Sequence, residues 1–478
     1  MSDSKHFDLI VIGAGSAGLA TAAGTAQLGL HTALIEADKM GGDCLNTGCV
    51  PSKALLKAAK EAETFRTADK YGITAREPEI DFAAVKDHVH GVIKQIEPHD
   101  SQERFEGLGV EVIRGRGRFV DESTVAVDDH HYTARNFIIA TGSRAAIPPI
   151  DGLDPAQIYT NENIFDLRDK PDHLVIIGGG PIGTEMAQAH ARLGCKVSVI
   201  DMHHILPRDD AALSAIVREQ LQQDGVQIYE QAGVNAVEHR PDGTLVHITH
   251  DGQSQEIEGT HLLIAAGRKA NIDDMGLEAA GIQTHKTGLV VDKRLRTSNK
   301  HVFAAGDVTG GPQFTHIAAY HSSILIRNIV FRLPAKVNYA SLPWVTYTDP
   351  ELANVGLTPD QAREEYGGDK IQVTEWKFSD NDRAVAERRT EGLAKVVTTK
   401  KGHILGATIC GPGAGEMIGL WGLAIDQKLK IGAVANMIAP YPTYSEISKR
   451  LGGAFFTPKL FSGKTRTLVG WLKKIPGL

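Results

Sequence analysis

Cysteines, aromatic residues and long apolar runs are all scarce in this sequence of 478 residues. Only four cysteines occur, which is too few for the disulfide framework of a small secreted scaffold. No unbroken run of about 18 apolar residues is present, so the sequence predicts no membrane-spanning helix. The 51 basic residues are outnumbered by 58 acidic ones, which excludes a broadly basic nucleic-acid-binding surface. The N-terminal segment MSDSKHFDLIVIGAG lacks the apolar core and cleavage site of a signal peptide, so we expect a cytoplasmic protein.

Glycine, by contrast, is abundant, with 50 residues, and it forms a repeated motif. Two G-x-G-x-x-G motifs begin at Gly13 and Gly178, and an acidic residue follows the last glycine of each at the same distance. Their members are Gly13, Gly15, Gly18 and Glu36 in the first copy, and Gly178, Gly180, Gly183 and Asp201 in the second. Such glycines allow a tight turn, a close approach of pyrophosphate and helix–strand packing, and the acid binds a ribose diol. The repeat predicts two dinucleotide-binding units, with unrelated glycine-rich turns as the alternative.

Three short apolar runs end in small or polar residues, as expected for strands whose backbone lies close to a nucleotide. The first ends at Thr141 and Gly142, the second at Gly267, and Asp307 directly follows the third. Two dinucleotides in one chain indicate electron transfer between them, and the usual pair is a flavin and a nicotinamide.

Cys44 and Cys49 lie five positions apart, shortly after the first acidic residue. In a regular helix their Cα atoms would be roughly 8.6 Å apart, whereas a disulfide requires less than about 7 Å. A bridge therefore needs a distorted turn, which Asn46 and Gly48 can supply. Pro51 favours a helix start that would bring Cys49 to a helix N-terminus, where a thiolate is stabilised. Two buried free thiols or a metal site are the alternatives, although the spacing is not the usual one for metal ligands.

The segment GGDCLNTGCVPSK, residues 41–53, resembles the redox-active disulfide segment of the flavin-dependent pyridine nucleotide-disulfide oxidoreductases. The glycine motifs, the strand-end motifs and a Pro-Thr-x-x-Glu segment near the end follow in the family's order. The sequence is therefore identified as a class I member of this family, which implies an α/β fold. We expect two Rossmann-like domains, for FAD and NAD, and a C-terminal α+β dimerisation domain.

The resemblance implies a role for each matching residue. The FAD positions are Gly13, Gly15, Gly18, Glu36, Lys53, Thr141, Gly142 and Asp307. The nicotinamide-nucleotide positions are Gly178, Gly180, Gly183, Asp201 and Gly267. Cys44 would exchange with substrate, Cys49 would face the flavin, and Lys53 would pair with Glu185 beside the flavin ring. No metal site is implied.

The last domain departs from the family pattern. Reductases of organic disulfides carry His-Pro-Thr-x-x-Glu there, and the histidine comes from the partner subunit. This sequence retains Glu446 but has Tyr441 at the histidine position. A phenol titrates near 10 and accepts a thiol proton poorly at neutral pH. We expect Tyr441 to donate a hydrogen bond to a substrate thiolate or bound ligand, with packing at the dimer interface as the alternative.

Mercuric reductases also have a tyrosine there, but they carry a C-terminal cysteine pair, and no cysteine follows Cys410 here. Three functions therefore compete. They are a dihydrolipoamide-dehydrogenase-like NAD(P)H thiol-disulfide oxidoreductase, a mercuric-reductase-like reductase of metals or electrophiles, and a flavoprotein scaffold with incidental redox activity. The first predicts a thiol or disulfide substrate such as a protein-bound lipoyl group.

The nucleotide preference follows from Asp201, whose carboxylate favours a ribose diol over a 2′-phosphate. NAD is therefore favoured over NADP, although His203, His204 and Arg208 follow closely and would partly offset the repulsion.

Four regions are predicted: an FAD domain (1–150), an NAD(P) domain (151–275), a central return to FAD (276–338) and an interface domain (339–478). The interface domain implies a homodimer. Its last part, 459–478, contains basic and apolar residues but no Asp or Glu. This composition favours contact with an anionic membrane surface or a partner, with docking on the protein's own surface as the alternative.

Overall fold

The computed structural model describes residues 5–475, which divide into two compact units. The first unit contains residues up to 65, 77–202 and 228–338. The second contains 66–76, 203–227 and the chain from 339 onward.

Within residues 5–475 the structure consists of α-helices and β-strands, with short 3-10 helices in several of the connections. The strands are β1 (Lys5–Ile12), β2 (Thr32–Glu36), β3 (Val110–Arg114), β4 (Arg118–Phe119), β5 (Thr124–Val127), β6 (His130–Ile139), β7 (Ser143–Ala145), β8 (His173–Ile177), β9 (Lys196–Ile200), β10 (Gln227–Tyr229), β11 (Gly233–Arg240), β12 (Gly243–His250), β13 (Gln253–Gly259), β14 (His261–Ile264), β15 (Arg268–Ala270), β16 (Thr284–His285), β17 (Gly288–Leu289), β18 (Val302–Ala304), β19 (Pro343–Thr346), β20 (Glu351–Gly356), β21 (Ile371–Lys377), β22 (Leu393–Thr399) and β23 (Ile404–Gly411). The helices are α1 (Ser16–Gln27), α2 (Gly42–Asn46), α3 (Cys49–Arg66), α4 (Phe82–Ile96), α5 (Gln102–Gly107), α6 (Pro181–Arg192), α7 (Ala211–Gln223), α8 (Thr315–Ile329), α9 (Pro359–Tyr366), α10 (Asp382–Ala386), α11 (Ala414–Asp426), α12 (Ile431–Ala435), α13 (Glu446–Ala454), α14 (Thr457–Leu460) and α15 (Gly463–Leu472).

The first unit begins with a parallel β–α–β arrangement. Strand β1 pairs in parallel with β2 on one side and β6 on the other, and β18 extends the sheet along the end of β6. Side chains on both faces of β1 are buried, which explains its nearly continuous apolar sequence. The turn into α1 therefore lies at the carboxyl end of the central strands, where open α/β sheets bind ligands.

A second parallel sheet repeats this arrangement. Strand β8 is buried along its whole length and pairs in parallel with β9 and β14. Helix α6 follows β8 through a glycine loop just as α1 follows β1, so the sequence repeat is also a structural repeat. The predicted α/β class is confirmed. The antiparallel strands β11, β12 and β13 form a separate sheet that is inserted in the chain between β10 and β14 of the second repeat.

The second unit is built on an antiparallel sheet with strand order β19-β20-β23-β22-β21. Trp421 of α11 is fully buried and donates from its indole nitrogen to Ser448 Oγ of α13 at 3.1 Å. Residues 203–227 also pack in this unit, although the sequence assigns them to the 151–275 region. Asp210, at the start of α7, accepts a hydrogen bond from the buried Lys395 at 2.9 Å.

The predicted basic region 459–478 contains part of α14 and all of α15. Its last three residues lie outside the described part of the chain. Among the residues described, no helix has both the length and the hydropathy to cross a bilayer.

Candidate active site

The first glycine loop, between β1 and α1, leaves room for a ligand beside its second glycine. Gly13 has a φ of +105°, and a Cβ there would lie 2.5 Å from Ala140 O. A Cβ on Gly18 would lie 1.8 Å from Gly13 O, so the helix packs directly on the loop. A Cβ on Gly15 would meet no atom within 4 Å. The first and third glycines are thus required because a side chain there would clash with the protein's own backbone. The second glycine leaves open space through which a pyrophosphate can approach the loop.

The second glycine loop has the same geometry. Gly178 has a φ of +117°, and a Cβ on it would lie 2.4 Å from Ala265 O. A Cβ on Gly183 would lie 1.8 Å from Gly178 O, whereas Gly180 has open space around it. The residues of both loops therefore fit a bound dinucleotide.

The acidic residue at the end of each second strand is hydrogen-bonded to its glycine loop. Glu36 Oε2 accepts from the Ala14 amide at 2.5 Å, and Asp201 Oδ2 accepts from the Gly179 amide at 2.5 Å. Each amide belongs to the residue between the first two glycines of its motif. The acid therefore holds the loop in place, a role that sequence reasoning, which assigned it only to ribose, did not anticipate.

The predicted strand-end residues lie in turns. Gly142 and Gly267 have φ angles of +69° and +125°, and a Cβ on either would meet no other atom within 4 Å. The Thr141 hydroxyl donates to Asn271 O at 2.7 Å. Backbone conformation thus explains why both turns require glycine, and both leave room for a ligand.

Asp307 belongs to a polar cluster that the sequence did not reveal. It accepts a hydrogen bond from Ser143 Oγ at 2.6 Å, and burial raises the pKa of its carboxyl group. Arg268 Nε donates to the same Ser143 Oγ at 2.7 Å, and another of its nitrogens lies 3.3 Å from Asp43 Oδ1. Arg268 follows Gly267 directly and links the Asp307 region to the cysteine segment.

The cysteine segment is broken into two helices between its thiols. Helix α2 ends at Asn46, Thr47 has a φ of −141°, and α3 begins at Cys49. The two sulfurs are not joined in a disulfide here, and they lie within hydrogen-bonding reach of one another. The distorted turn expected from the spacing is present. Gly48, however, does not adopt a positive φ, and it is required because a Cβ would lie 2.8 Å from Asp43 Oδ2.

Asp43 holds this turn through several contacts. Its Oδ1 accepts from Thr47 Oγ1 at 3.0 Å and from Asn161 Nδ2 at 2.8 Å. On its other side, Gly42 packs on the first nucleotide loop, since a Cβ there would lie 2.7 Å from Gly15 Cα. The thiol pair is therefore fixed against the loop that fits a nucleotide.

The two thiols have opposite acidities. The Cys44 thiol donates a hydrogen bond to the Cys49 sulfur and lowers the pKa of Cys49 to about 6, against the opposing effect of burial. The Thr315 hydroxyl, 3.2 Å from Cys49 Sγ, and the charge of Lys53 lower this pKa further. The same interaction between the sulfurs raises the pKa of Cys44. Of the two sulfurs, Cys49 is therefore the one that favours the thiolate form and Cys44 the one that favours the thiol.

The remaining cysteines provide a contrast. Cys195 and Cys410 are both buried, as expected for core residues. Burial raises the pKa of Cys195 to about 11 and also raises the pKa of Cys410. Among the four cysteines, Cys49 is therefore the one whose surroundings favour a reactive thiolate.

Lys53, one turn after Cys49 on α3, forms an ion pair with Glu185 of α6. The Lys53 Nζ to Glu185 Oε2 distance is 2.8 Å, and the Glu185 side chain is almost fully buried. The predicted pairing is present in the geometry. It connects the helix that follows the cysteines to the helix that follows the second glycine loop.

Tyr441 and Glu446 belong to the second unit, and each contacts a different residue there. Tyr441 is 66% exposed, and its hydroxyl donates to Asp382 Oδ2 at 2.7 Å. This hydrogen bond raises the pKa of Tyr441 above its usual value. Glu446 lies 3.5 Å from a guanidinium nitrogen of Arg450. The single phenolic proton is therefore donated to Asp382, a residue that the sequence did not single out.

Comparison with known proteins agrees with these features. Residues 7–322 match the pyridine nucleotide-disulphide oxidoreductase family, and residues 342–451 match its dimerisation domain. The chain belongs to this family. It is a flavoprotein thiol-disulfide oxidoreductase that uses FAD and a pyridine nucleotide, and its dimerisation domain supports a homodimer.

Individual relatives match nearly the whole chain. It is 36% identical to the dihydrolipoyl dehydrogenase of Geobacillus stearothermophilus, with 92% of this chain and 94% of the relative covered. It is 34% identical to a mercuric reductase of Streptomyces lividans, with 94% and 96% covered. The structure of the HOCl-induced flavoprotein disulfide reductase RclA from Escherichia coli, solved as a Cu(II) complex, superposes with a TM-score of 0.84. Sequence identity to it is 28%, with 96% of this chain and 100% of that chain covered.

Proposed function

We propose that the enzyme transfers electrons between NAD(H) and a small or protein-bound dithiol/disulfide of the dihydrolipoamide type, and so acts on sulfur groups. The observation that carries this proposal is the Cys44–Cys49 pair at the break between α2 and α3, where the Thr315 hydroxyl lies 3.2 Å from Cys49 Sγ and the pKa of Cys49 is lowered. A cytoplasmic location and the four regions 1–150, 151–275, 276–338 and 339–478 belong to the same proposal.

The glycine loops and their acids would hold FAD and NAD(H). When bound, FAD supplies the two-electron link between the nicotinamide and the sulfur pair. In the direction of disulfide reduction, the Cys44 thiolate attacks the substrate disulfide, forms a mixed disulfide and releases one substrate thiolate. The Cys49 thiolate then attacks the Cys44 sulfur, forms the Cys44–Cys49 disulfide and releases the second substrate thiolate. Two protons convert these thiolates to thiols, and two electrons that originate from NADH reopen the bridge.

Cys44 must lose its proton before its sulfur can attack the substrate disulfide. Because the pKa of Cys44 is raised, this deprotonation is unfavourable and needs a proton acceptor. We propose that Tyr441 and Asp382 of the partner subunit act as the proton acceptor. The phenolic oxygen would take the thiol proton while the phenol passes its own proton to the Asp382 carboxylate, so that a tyrosine with a raised pKa need not ionise. Glu446 would have a positioning role through Arg450.

Substitutions at Tyr441 test this relay. Tyr441→Phe and Asp382→Asn should each lower kcat for a disulfide substrate while leaving NADH-dependent ferricyanide reduction unchanged. Tyr441→His supplies a base that titrates near 6.5 and should restore or raise turnover. If Asp382→Asn turns over disulfide as fast as the wild type, Asp382 is not the acceptor.

The nucleotide preference is part of the proposal. The Asp201 carboxylate, at the end of β9, would accept from the ribose diol and repel a 2′-phosphate. We expect at least a tenfold higher kcat/KM for NADH than for NADPH, and a preference for NADPH would overturn the assignment.

A substrate panel separates the thiol reaction from reduction of a metal ion. With NADH as donor, initial rates would be measured with lipoamide, glutathione disulfide, coenzyme A disulfide and Hg(II). The proposal requires the highest kcat/KM with a disulfide and loss of this activity in Cys44→Ser. An anaerobic NADH titration should show a long-wavelength absorbance band that is absent in Cys49→Ser. A higher rate with Hg(II) than with any disulfide would favour the mercuric-reductase-like alternative.

A further inference from the structure

Residues 459–475 form a short helical segment, here called the basic segment, that lies beyond the family's dimerisation domain. The match to that domain ends at residue 451. The segment contains the end of α14 and all of α15, and Ser462 caps α15 because its hydroxyl accepts a hydrogen bond from the Thr465 amide. Most of the basic segment is therefore helical, so the spacing of its residues shows which side chains share a face.

One side of α15 carries exposed apolar side chains, together with Lys464, which lies four positions before Leu468. Leu468, Trp471 and Leu472 are three and four positions apart and share a face. All three are exposed in the chain, and Trp471 reaches 73%. Leu460 and Phe461, just before the helix, are exposed as well. A cluster of exposed large apolar side chains marks a binding surface rather than an ordinary stretch of protein surface.

The polar residues of the segment carry charge of one sign. The basic residues are Lys459, Lys464, Arg466, Lys473 and Lys474, and no Asp or Glu occurs between 459 and 475. Arg466 and Lys473 are two helical turns apart, on the side of the helix away from Leu468. This concentration of positive charge occurs in a chain whose net charge is −7.

We propose that the basic segment docks on an anionic lipid surface, which makes the enzyme a peripheral membrane protein. Leu468, Trp471 and Leu472 would enter the boundary between headgroups and acyl chains, while the basic side chains would bind lipid phosphates. Basic side chains combined with exposed Trp and Leu side chains on one helix are the residue types by which helices bind in the plane of a membrane. Tryptophan suits this position because its ring is apolar and its N–H is polar.

Charge complementarity favours lipid over pairing between the basic segments of two copies. Recognition between two copies would place the same five cations in a shared interface unless acidic residues faced them, and the segment supplies none. An anionic bilayer supplies negative charge over its whole surface, and each basic residue near it strengthens binding about fivefold.

Flotation of the full-length holoenzyme with vesicles tests the proposal. Protein would be followed by flavin absorbance, with vesicles of phosphatidylcholine alone and with about 30% phosphatidylglycerol. We expect the enzyme to float with the anionic vesicles, to stay behind with the neutral ones, and to be released by about 0.5 M salt through screening. No association with either kind of vesicle would overturn the proposal.

Matched variants separate the basic segment from general surface charge. The triple variant Lys464→Gln, Arg466→Gln and Lys473→Gln should weaken vesicle binding about a hundredfold. The control Lys400→Gln with Lys401→Gln removes two charges from a turn in the second unit and should leave binding within about twofold. Equal losses in the two variants would contradict the assignment.

Trp471 tests insertion of the apolar face. Its fluorescence should shift to shorter wavelength on anionic vesicles, and Trp471→Phe should abolish this shift while retaining binding. Trp471→Ser should weaken binding. NADH–ferricyanide activity and mass by light scattering should be unchanged in every variant. Conversion to monomer in Trp471→Ser would instead assign the segment to contact between two copies and overturn the proposal.

Discussion

The hydroxyl of Thr315 is expected to contribute to the acidity of Cys49, although the two residues are far apart in the sequence. It lies at the first residue of α8, 3.2 Å from Cys49 Sγ, and it stabilises the thiolate as a hydrogen-bond donor. Thr315→Val retains the branched shape and removes the donor. Because the hydroxyl stabilises the charged form, its loss must raise the pKa of Cys49 from its value of about 6.

The size of the effect follows from the strength of hydrogen bonds to charged groups. Such bonds contribute about 1.5–3 kcal/mol, and one pKa unit corresponds to about 1.4 kcal/mol. Burial opposes the Cys49 thiolate, but the residue still has solvent-accessible surface, so solvent screens part of the interaction and the lower limit applies. We therefore expect the pKa to rise by about 1 unit, to about 7.

The assay is iodoacetamide alkylation of the reduced enzyme between about pH 4.5 and 9, with the modified cysteine located by tandem mass spectrometry. The midpoint of the pH profile is the readout. The rate at one pH is not suitable, because a thiolate with a higher pKa is also more nucleophilic. Cys195 and Cys410 are buried and should remain unmodified.

Two matched controls accompany this experiment. Thr315→Ser keeps the hydroxyl and should keep the midpoint near that of the wild type. Thr398→Val removes a buried hydroxyl in the second unit, one that donates to Gln372 O, and should leave the midpoint unchanged. A Thr315→Val midpoint within about 0.3 units of the wild type would refute the role assigned to the hydroxyl.

Other substitutions test the nucleotide loops and the cysteine turn. Gly18→Ala should destabilise the protein by about 3 kcal/mol or more because its Cβ would lie 1.8 Å from a carbonyl oxygen. Gly15→Ala should leave the apoprotein melting temperature unchanged but weaken FAD binding, and equal melting temperatures for the two variants would contradict this reading. Asp201→Asn keeps an acceptor for the Gly179 amide and removes the negative charge. The ratio of kcat/KM for NADH to kcat/KM for NADPH should therefore fall at least fivefold. An unchanged ratio would exclude the Asp201 carboxylate as the group that discriminates between the two nucleotides. Asp43→Ala should lower disulfide turnover by about tenfold to a hundredfold because the two thiols would be misplaced. Ferricyanide reduction, which does not need the thiols, is the control. A normal rate of disulfide turnover would show that the turn between Cys44 and Cys49 keeps its shape without Asp43.

Local features of the site could be predicted because they depend on residues close in sequence. A glycine loop is defined by one strand, one turn and one helix, so Gly13, Gly15 and Gly18 could be recognised from their spacing. The break between Cys44 and Cys49 likewise follows from a distance that a regular helix cannot satisfy. The family resemblance added the pairing of Lys53 with a residue in the second repeat.

The contacts of Tyr441 and Gly48 could not be predicted from local sequence patterns. The sequence predicts a thiolate or ligand as the acceptor of the Tyr441 hydroxyl, and it did not single out Asp382, which accepts that proton in the folded chain and lies far away in the sequence on α10. Gly48 was expected to supply conformational freedom, but crowding by Asp43 explains it instead. Neither spacing nor residue type reports which acceptor a side chain meets after folding.

The sequence by itself determined that two nucleotide loops and a pair of redox-suited thiols occur in this chain, since each is encoded within a short stretch of backbone. Only the tertiary structure decided what surrounds them. Folding brings the first residue of α8 to the start of α3 and the residue after Gly267 to α2, so that Thr315 reaches Cys49 and Arg268 reaches Asp43. The Thr315 contact lowers the pKa of Cys49, and the Arg268 contact holds Asp43 beside the thiols. Both depend on distances between residues far apart in the chain, and such distances exist only once the sheets have formed.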